Sequence, residues 1–424
     1  MAPPHAPDKP ARPPILAPFS ERSFRYQWPA DLAASWAFDM ETLILSWYML
    51  VETRSVFMLT LFASLQYLGT LLAPMFGVMG DRIGHRKVLA AMRAVYATTA
   101  LTLMTLAYSG LLTPTYVMCI AGVMGLVRPS DIGMRTALIG ATMPASKLMS
   151  AMSIQRTTQD SAKVAGALTG AALVALLGIG PAYTVVVSFY LLSVTLTLKG
   201  ANPRAAPRAV MAAAERVSPL GDLRAGLAYV WHTPLLLASM LFAFLLNCTA
   251  FPMMNGLMPV MAKEIYHTNQ AGLGYLVAAG GFGALMSSVV MSRIGHRIRP
   301  ARTMLIFSAG WLLALMFFAN TTHPAAGIPF LLLAGLSQGL GQIPMATMLI
   351  RNCEPKFRGR IMGIRMLAIY GNIPGLLLAG WLIPRIGYPT TITLYGTVAI
   401  LLVGIVALRW RVPLWRRDAP ANAR

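Results

Sequence analysis

The sequence predicts an all-α membrane protein made of two equivalent halves, each contributing a bundle of six transmembrane helices. Charged residues make up only 12% of the 424 residues and hydrophobic residues 56%, whereas a soluble domain carries roughly 25% charged residues. Apolar segments near the ~20 residues that a helix needs to cross the hydrocarbon core follow one another along the chain. Two landmarks recur 211 residues apart: Arg-Ile-Gly-His-Arg at 82–86 and 293–297, and the loop prolines Pro144 and Pro355. Recurrence at one spacing indicates an internal duplication.

The apolar segments give twelve predicted spans, six in each half. In the first half they cover residues 31–52, 55–79, 88–109, 113–137, 150–177 and 181–199. In the second half they cover residues 234–261, 271–292, 301–320, 327–350, 359–384 and 388–409. We therefore expect an N-terminal bundle over 31–199 and a C-terminal bundle over 234–410.

The segments outside the two bundles are polar. Residues 1–30 are rich in Pro, Ala and Arg and lack the apolar core of a signal peptide, which predicts a disordered cytoplasmic tail. Residues 200–233 form a linker, in which the apolar spacing from Asp222 to Trp231 predicts an amphipathic helix on the cytoplasmic face. Residues 411–424 are predicted to be a basic cytoplasmic tail.

The distribution of basic residues predicts that both termini lie in the cytoplasm. An even number of spans puts the two termini on one side of the membrane. The loops and tails of that side carry 27 Lys and Arg residues against 3 on the other, with five more in or between spans 4 and 5 left out of this count. Lys and Arg collect in cytoplasmic loops, so the net charge of +21 indicates topology rather than nucleic-acid binding.

Several functional classes lack the residues that they require. The three cysteines have no metal-binding spacing, and the 28 methionines are scattered through apolar segments, so neither a disulfide framework nor a metal site is expected. The phosphate-binding motif Gly-x-x-x-x-Gly-Lys-Ser/Thr is absent, which argues against direct use of ATP. We expect no cofactor and no enzymatic activity.

The stretch from Gly77 to Leu89 carries a resemblance to a known family. It resembles the signature G-x-L-A-D-R-x-G-R-R-x-x-L between helices 2 and 3 of the major facilitator superfamily, with Met79, Gly80 and His85 as departures. In the echo between spans 8 and 9, Ser292 stands where Asp81 would be.

Other stretches resemble, more loosely, a branch of siderophore and drug efflux proteins similar to the enterobactin exporter. They are Phe38-Asp39, Arg128-Pro129, Leu223 to Trp231 and Pro355 to Met362. Gly166-Ala167 stands in span 5 where many antiporters of the superfamily have Gly-Pro, so the sequence departs there from an antiporter signature.

The resemblance implies two six-helix bundles, related by a pseudo-two-fold axis around a central cavity, which rock to give alternating access. It also implies a proton-coupled exporter of an amphipathic small molecule, acting as a monomer in the bacterial inner membrane, with protons and the lipid bilayer as its other partners. An importer or a lysolipid flippase would share this fold. A membrane receptor or assembly protein without transport activity is the alternative from another class.

The resemblance places a gating motif at the cytoplasmic ends of the helices. Asp81 would accept hydrogen bonds from the N-terminus of span 11, where partial positive charge collects. Asp131 and Arg135 are four residues apart on one helix face and predict a salt-bridge network at the same gate. The predicted gating residues are Gly77, Asp81, Arg82, Gly84, Arg86, Lys87, Asp131 and Arg135.

Asp39 and Glu41 are the acids expected to carry protons or to contact a cation. They lie eight and ten residues into span 1, about 12–15 Å deep at a rise of about 1.5 Å per residue. An ionised acid at that depth needs water or a partner. Positions two apart point about 200° from each other, so only one should face the cavity. A buried ion pair with a neighbouring helix is the structural alternative.

Arg128 is the deepest charge of span 4. It is expected either to contact an anionic group of the substrate or to adjust the protonation of a neighbouring acid, with a purely structural role as the alternative. Further polar residues near mid-depth are expected to line the cavity, although amides and hydroxyls also bridge neighbouring helices. They are Gln66, Asn247, Asn255, Gln338, Gln342, Tyr370 and Asn372.

Overall fold

The structure is a computed structural model that describes residues 16–200, 219–294, 298–351, 353 and 358–410, and these residues form helices joined by short turns. The first half contains α1 Arg22–Thr53, α2 Val56–Leu65, α3 Ala73–Ile83, α4 His85–Tyr108, α5 Pro114–Val127, α6 Asp131–Thr142, α7 Ala145–Leu177 and α8 Ile179–Lys199. The second half contains α9 Pro219–His232, α10 Pro234–Asn255, α11 Gln270–Ile294, α12 Pro300–Ala319, α13 Pro324–Arg351, α14 Arg358–Leu367, α15 Asn372–Ile386 and α16 Tyr388–Arg409.

Ten helical stretches of the described chain are long and apolar enough to cross a membrane. Val56–Leu72 is apolar but shorter. α1 is long enough, with 32 residues, but it is not among the ten because acids such as Asp31 and Glu41 make it less apolar. The predicted total of twelve counts α1 and the broken 56–83 stretch with these ten helices.

The internal duplication extends to the helices. Residues 22–53 of α1, shifted by the 211-residue offset, become 233–264, and the second half is helical there from Pro234 through Ile265. The same shift carries α7 to 356–388, a range that contains α14 and α15. The two halves therefore repeat one order of helices, as the recurring sequence motifs predict.

α1 begins at Arg22, nine residues before the predicted start of span 1. Phe24 is 1% exposed and packs with Ile139 and Met143 in a small apolar cluster on α6. The indole N–H of Trp28 donates to the hydroxyl of Thr158 at 2.9 Å. Because these contacts stabilise about two and a half further helical turns, residues 22–30 are part of the bundle. Of the rest of the predicted tail, Ala17–Ser20 forms a 3-10 turn, and residues 1–15 lie outside the described chain.

Proline and local 3-10 geometry break two of the long helices. Pro129 cannot donate a backbone hydrogen bond, and Arg128–Ser130 is a 3-10 turn between α5 and α6. Leu68–Leu72 forms a similar turn between α2 and α3, and the two turns pack against each other. These breaks position Arg128 and Gln66 beside the interior of the protein.

The helix predicted in the linker is present as α9. It packs against α10 and α14, and Val230 and Leu236 are buried in that contact. The first part of the linker, residues 201–218, and the C-terminal tail, residues 411–424, lie outside the described chain.

One apolar core lies within the N-terminal bundle, and a larger one in the C-terminal bundle also includes N-terminal residues such as Leu43, Leu59 and Ala167. The bundles meet along two helix pairs. α7 packs against α11, and α2 packs against α15. Near the C-terminal end of α1, the Lys263 ammonium donates to the Leu50 carbonyl at 3.1 Å, and this hydrogen bond also joins the two halves. The space left between the bundles is the cavity described next.

Candidate functional site

A cavity of about 360 Å³ lies between the two bundles. Its N-terminal wall comes from α1, α2, α4, the α5–α6 break, α7 and α8, and its C-terminal wall from α10, α11 and α15. Such a volume suits a small organic molecule. Of the predicted site residues, the cavity is lined by Asp39, Gln66, Arg128, Asp131, Arg135 and Asn255.

The two walls differ in charge. Among the described residues that line the cavity, the six charged ones all belong to the N-terminal bundle, namely Asp39, Arg128, Asp131, Arg135, Asp160 and Lys163. The C-terminal wall contributes mainly apolar side chains, with Asn255 as its polar exception; its other members are Phe251, Pro252, Met254, Gly256, Met258, Pro259, Leu273, Val277 and Leu376. One wall can therefore hold a polar group and the other an apolar body.

Asp39 lies near the middle of α1 and is half-buried on the charged wall. α1 approaches α7 closely there, since a Cβ added at Gly166 would lie 2.8 Å from the Asp39 Cβ and 3.0 Å from the Trp36 carbonyl. Asp39 forms no ion pair within 4.0 Å with another described residue. The structural alternative of a buried ion pair therefore does not describe Asp39 in this structure.

Glu41 points away from the cavity. It is only 2% exposed, and one of its carboxylate oxygens accepts a hydrogen bond from the Tyr190 hydroxyl at 2.8 Å. Its other oxygen has no hydrogen-bond partner among the described residues. The spacing argument that only one of the two acids faces the cavity agrees with these positions, and the acid that faces it is Asp39.

Arg128 extends from the α5–α6 break into the cavity. Its guanidinium lies over the ring of Phe38 in a cation–π contact. One of its terminal nitrogens, Nη2, is buried without a hydrogen-bond partner in the described chain. The guanidinium is therefore held in place by α1 while it keeps capacity to donate to a ligand.

A buried ionic network joins α1, α4 and α6. Asp31 pairs with Arg93, and Arg135 lies 3.8 Å from the same carboxylate. Arg135 also pairs with Asp131 and donates to the Ser35 hydroxyl at 2.6 Å. The predicted network around Asp131 and Arg135 therefore exists, and it extends to Asp31 and Arg93.

Sequence reasoning missed Asp31 and Arg93. Arg93 is 0% exposed, although it lies near the predicted cytoplasmic end of span 3 and is one of the 27 basic residues assigned to that side. Both residues stand within or beside apolar segments, where a charge is costly unless it is paired. That cost was the signal in the sequence that could have identified them.

Lys163 links the two walls. Its ammonium donates to the side-chain oxygen of Asn255 at 3.0 Å, from α7 to the end of α10. On the same helix, Arg156 pairs with Asp160 at 3.2 Å. Gln66 also lines the N-terminal wall.

Five predicted cavity residues have other surroundings. The side-chain amide of Asn372 donates to the Asn247 amide oxygen at 2.8 Å, which joins α15 to α10. The Tyr370 hydroxyl donates to the Leu68 carbonyl at 3.0 Å across the two halves. Gln338 and Gln342 lie on α13 and do not line the cavity. These residues, together with Asn247, do not line the cavity. Asn247, Tyr370 and Asn372 instead form hydrogen bonds that bridge neighbouring helices.

The motif at 77–89 spans the α3–α4 turn. Gly84 adopts a φ of 98°, which is unfavourable for residues with a side chain. The Arg86 guanidinium donates to the Gly200 carbonyl at the end of α8. Gly77 and Arg82 lie on α3 and Lys87 on α4, and the side chain of Asp81 lies outside what the structure describes. Residues 295–297 of the echo also lie outside it.

Comparisons with known proteins agree with this architecture. The sequence profile described as Major Facilitator Superfamily matches residues 30–371. The chain is 26% identical over 364 residues to the MFS-type transporter YuxJ of Bacillus subtilis, covering 83% of this chain and 87% of that protein. It is 27% identical over 354 residues to the enterobactin exporter EntS of Escherichia coli, covering 81% of each.

Two further similarities concern efflux and fold. The multi-drug resistance efflux pump PmrA of Streptococcus pneumoniae is 24% identical over 325 residues, which are 75% of this chain and 77% of the pump. The crystal structure of the nucleoside transporter NupG superposes with a TM-score of 0.69 at 14% identity, covering 93% of this chain and all of that one. These relatives and this fold are those of multi-pass membrane transporters, not of enzymes.

Proposed function

Because the chain belongs to the Major Facilitator Superfamily of membrane transporters, we propose that it exports an amphipathic small molecule in exchange for protons. The substrate class is a siderophore or a drug-like compound. The protein acts as a monomer in the bacterial inner membrane, with both termini in the cytoplasm, as the 27-to-3 distribution of basic residues favours.

The observation that carries this proposal is the cavity with one charged and one apolar wall. A molecule that spans it places its polar group against the N-terminal bundle and its apolar body against Phe251, Met254 and Met258. Burial of the apolar part contributes binding energy, and the few polar groups fix its orientation. Rocking of the bundles about their α7–α11 and α2–α15 contacts would open the cavity to either side.

Asp39 is the proposed proton carrier. As a carboxylate it accepts hydrogen bonds from donor groups of the substrate, and as a neutral acid it no longer balances the nearby cations. Substrate and proton therefore compete for one group, which is the requirement for exchange. Glu41 is the less suitable acid because it does not line the cavity and already accepts a hydrogen bond from Tyr190. Arg128 and Gln66 are proposed to orient the substrate on the same wall.

The direction of transport is proposed from the relatives. EntS is an enterobactin exporter, and PmrA is a multi-drug resistance efflux pump. Import or lysolipid flipping remains the competing direction for the same cavity. The gating motif is proposed to hold the cytoplasmic ends of the helices, with Asp81 as the latch to α14 and Asp131–Arg135 as its neighbouring ion pair.

The test uses the purified full-length protein in proteoliposomes with an imposed pH gradient. Ethidium and enterobactin serve as transported probes, and flux is followed by fluorescence. We expect the gradient to drive accumulation against the probe gradient, and Asp39→Asn to lose that accumulation. Glu52→Gln is the matched control, because Glu52 is an exposed acid at the end of the same helix.

The outcomes separate the alternatives. Flux that ignores the pH gradient would remove proton coupling, and accumulation in the opposite sense would identify an importer. Absence of flux for both probes would favour the receptor or assembly protein. Asp81→Asn should slow transport while leaving membrane insertion unchanged, and unaltered kinetics in that variant would exclude the latch.

A further inference from the structure

We propose that Lys163 and Asn255 together bind a carbonyl-type oxygen of the substrate, either a neutral carbonyl or a carboxylate, between the two bundles. This inference rests on the proposed function only in taking the cavity as the substrate site. It assigns a substrate-binding role to a lysine that lines the cavity. It also assigns the selectivity of the cavity to a contact shared by both halves.

Lys163 has unused donor capacity at the cavity surface. It lines the cavity, and its ammonium uses one hydrogen bond at 3.0 Å to reach Asn255. An ammonium group has three donors. Among the described residues no acid pairs with it within 4.0 Å, so two donors remain for a ligand.

Close helix packing fixes the position of Lys163. On one side, Gly166, one turn further along α7, allows contact with α1 at Asp39. On the other side, a Cβ added at Gly281 of α11 would lie 2.9 Å from Val164 and 3.7 Å from the Lys163 Cγ. Since α7 is held between α1 and α11, the ammonium group is presented to the cavity from a constrained helix.

Asn255 is the complementary group on the other bundle. It ends α10, is exposed to the cavity and uses its oxygen to accept from Lys163. Its amide also carries two N–H donors. Rotation of the amide by half a turn would point these donors at the same place as the ammonium. A single ligand oxygen could then accept from both residues and replace their mutual hydrogen bond.

The surrounding charges favour an oxygen acceptor over a cation. Three basic and three acidic side chains line the cavity. Asp131 is paired with Arg135, and Asp160 is paired with Arg156. Asp39 on α1 and Asp160 on α7 are the acids that face Lys163, with Arg156 as the nearby cation. A substrate ammonium at this point would meet the Lys163 charge, whereas a carbonyl oxygen would accept from it.

Three probes that share the dansyl fluorophore but differ in their terminal functional group test the proposal. Dansylglycine carries a carboxylate, dansylglycinamide a neutral carbonyl, and dansyl-ethylenediamine an ammonium. Binding of each to the full-length protein in lipid nanodiscs is followed by the rise in dansyl fluorescence. No pH gradient or flux is needed, so a failure of this test is distinguishable from a failure of the transport proposal.

We expect both carbonyl probes to bind about tenfold or more tightly than the ammonium probe, the effect of one charge-assisted hydrogen bond. Lys163→Met, which keeps the length of the side chain but removes its donors, should abolish that difference. Asn255→Ala should reduce it, and Lys163→Arg should preserve most of it. Lys199→Gln, at an exposed lysine outside the cavity, is the control that should leave all three affinities unchanged.

Three results would overturn the proposal. The first is an equal or higher affinity of the wild-type protein for the ammonium probe. The second is a preference for carbonyl probes that survives in Lys163→Met. The third is an absence of binding for both carbonyl probes. Comparison of the two carbonyl probes then tells whether the bound oxygen is neutral or anionic.

Discussion

The N-terminal and C-terminal bundles repeat one helix order but differ in their interior chemistry. Six charged residues in the interior of the first half are replaced by uncharged ones 211 positions later: Asp39 by Ala250, Glu41 by Pro252, Arg128 by Gly339, Asp131 by Gln342, Arg135 by Ala346 and Lys163 by Pro374. The N-terminal bundle is therefore held together partly by buried ion pairs. The C-terminal bundle is held by apolar packing and by amide hydrogen bonds such as Asn247–Asn372.

The duplication therefore preserved the packing of the helices without preserving their chemistry. Helix packing requires only apolar faces of the right length, which both halves keep. Proton exchange requires a titratable group beside the substrate, and it is sufficient that one of the two cavity walls carries such a group. In the proposed export function, the C-terminal half supplies the apolar surface against which the substrate's body would pack.

Removal of Arg93 should produce the largest effect on stability. Arg93→Met leaves the buried Asp31 with only Arg135, at 3.8 Å, to balance its charge. Loss of one partner of a buried ion pair costs about 3–5 kcal/mol of unfolding free energy. Thermal unfolding in detergent, together with the folded yield, measures this cost.

Arg385 of the C-terminal bundle gives the matched control. It is exposed and lies over the Trp381 ring at 3.9 Å. Arg385→Met should cost no more than about 1 kcal/mol. Equal losses of unfolding free energy in the two variants would contradict the view that buried ion pairs stabilise the N-terminal bundle but not the C-terminal one.

A side chain at Gly166 should have an intermediate effect. In Gly166→Ala the new methyl group would lie 2.8 Å from the Asp39 Cβ, so α1 and α7 must separate. We expect a loss of about 1–3 kcal/mol and weaker binding of the dansyl probes. Gly133→Ala, where a methyl group meets nothing within 4 Å, should be neutral or slightly stabilising. Similar behaviour of the two variants would show that the α1–α7 approach does not position Asp39.

Loss of the amide contact in the C-terminal bundle should have the smallest effect. Asn372→Ala removes the 2.8 Å hydrogen bond to Asn247. Hydrogen bonds between transmembrane helices average about 0.6 kcal/mol, so the midpoint of unfolding should fall only slightly. A loss as large as that of Arg93→Met would mean that both bundles depend equally on buried polar contacts.

The fold and part of the candidate site can be predicted from the sequence. Composition, segment length and the repeated motif predict the helices because each is a local property. The depth of Asp39 and Arg128 predicts their importance because charge is costly inside a membrane. The early start of α1 is not predicted because it depends on contacts between the ring of Phe24 and apolar side chains of a helix that is distant in sequence.

Pairings between distant helices are the part that sequence alone cannot supply. Arg93 and Asp31 are 62 residues apart, and Lys163 and Asn255 are 92 apart. Asn372 and Asn247, which were expected in the cavity, bond each other from 125 residues apart. An amide that lines a cavity and an amide that bridges two helices have the same sequence context, and only the packing distinguishes them.

Proton release on substrate binding tests the central claim, that substrate and proton compete for Asp39 on the charged wall. The purified protein is mixed with saturating ethidium or enterobactin in weakly buffered solution, and the change in pH is recorded by a soluble indicator. We predict release of up to one proton per wild-type protein, less as the starting pH rises, and none from Asp39→Asn. Wild-type protein that binds probe without releasing protons, or an Asp39→Asn variant that releases as many, would contradict the account.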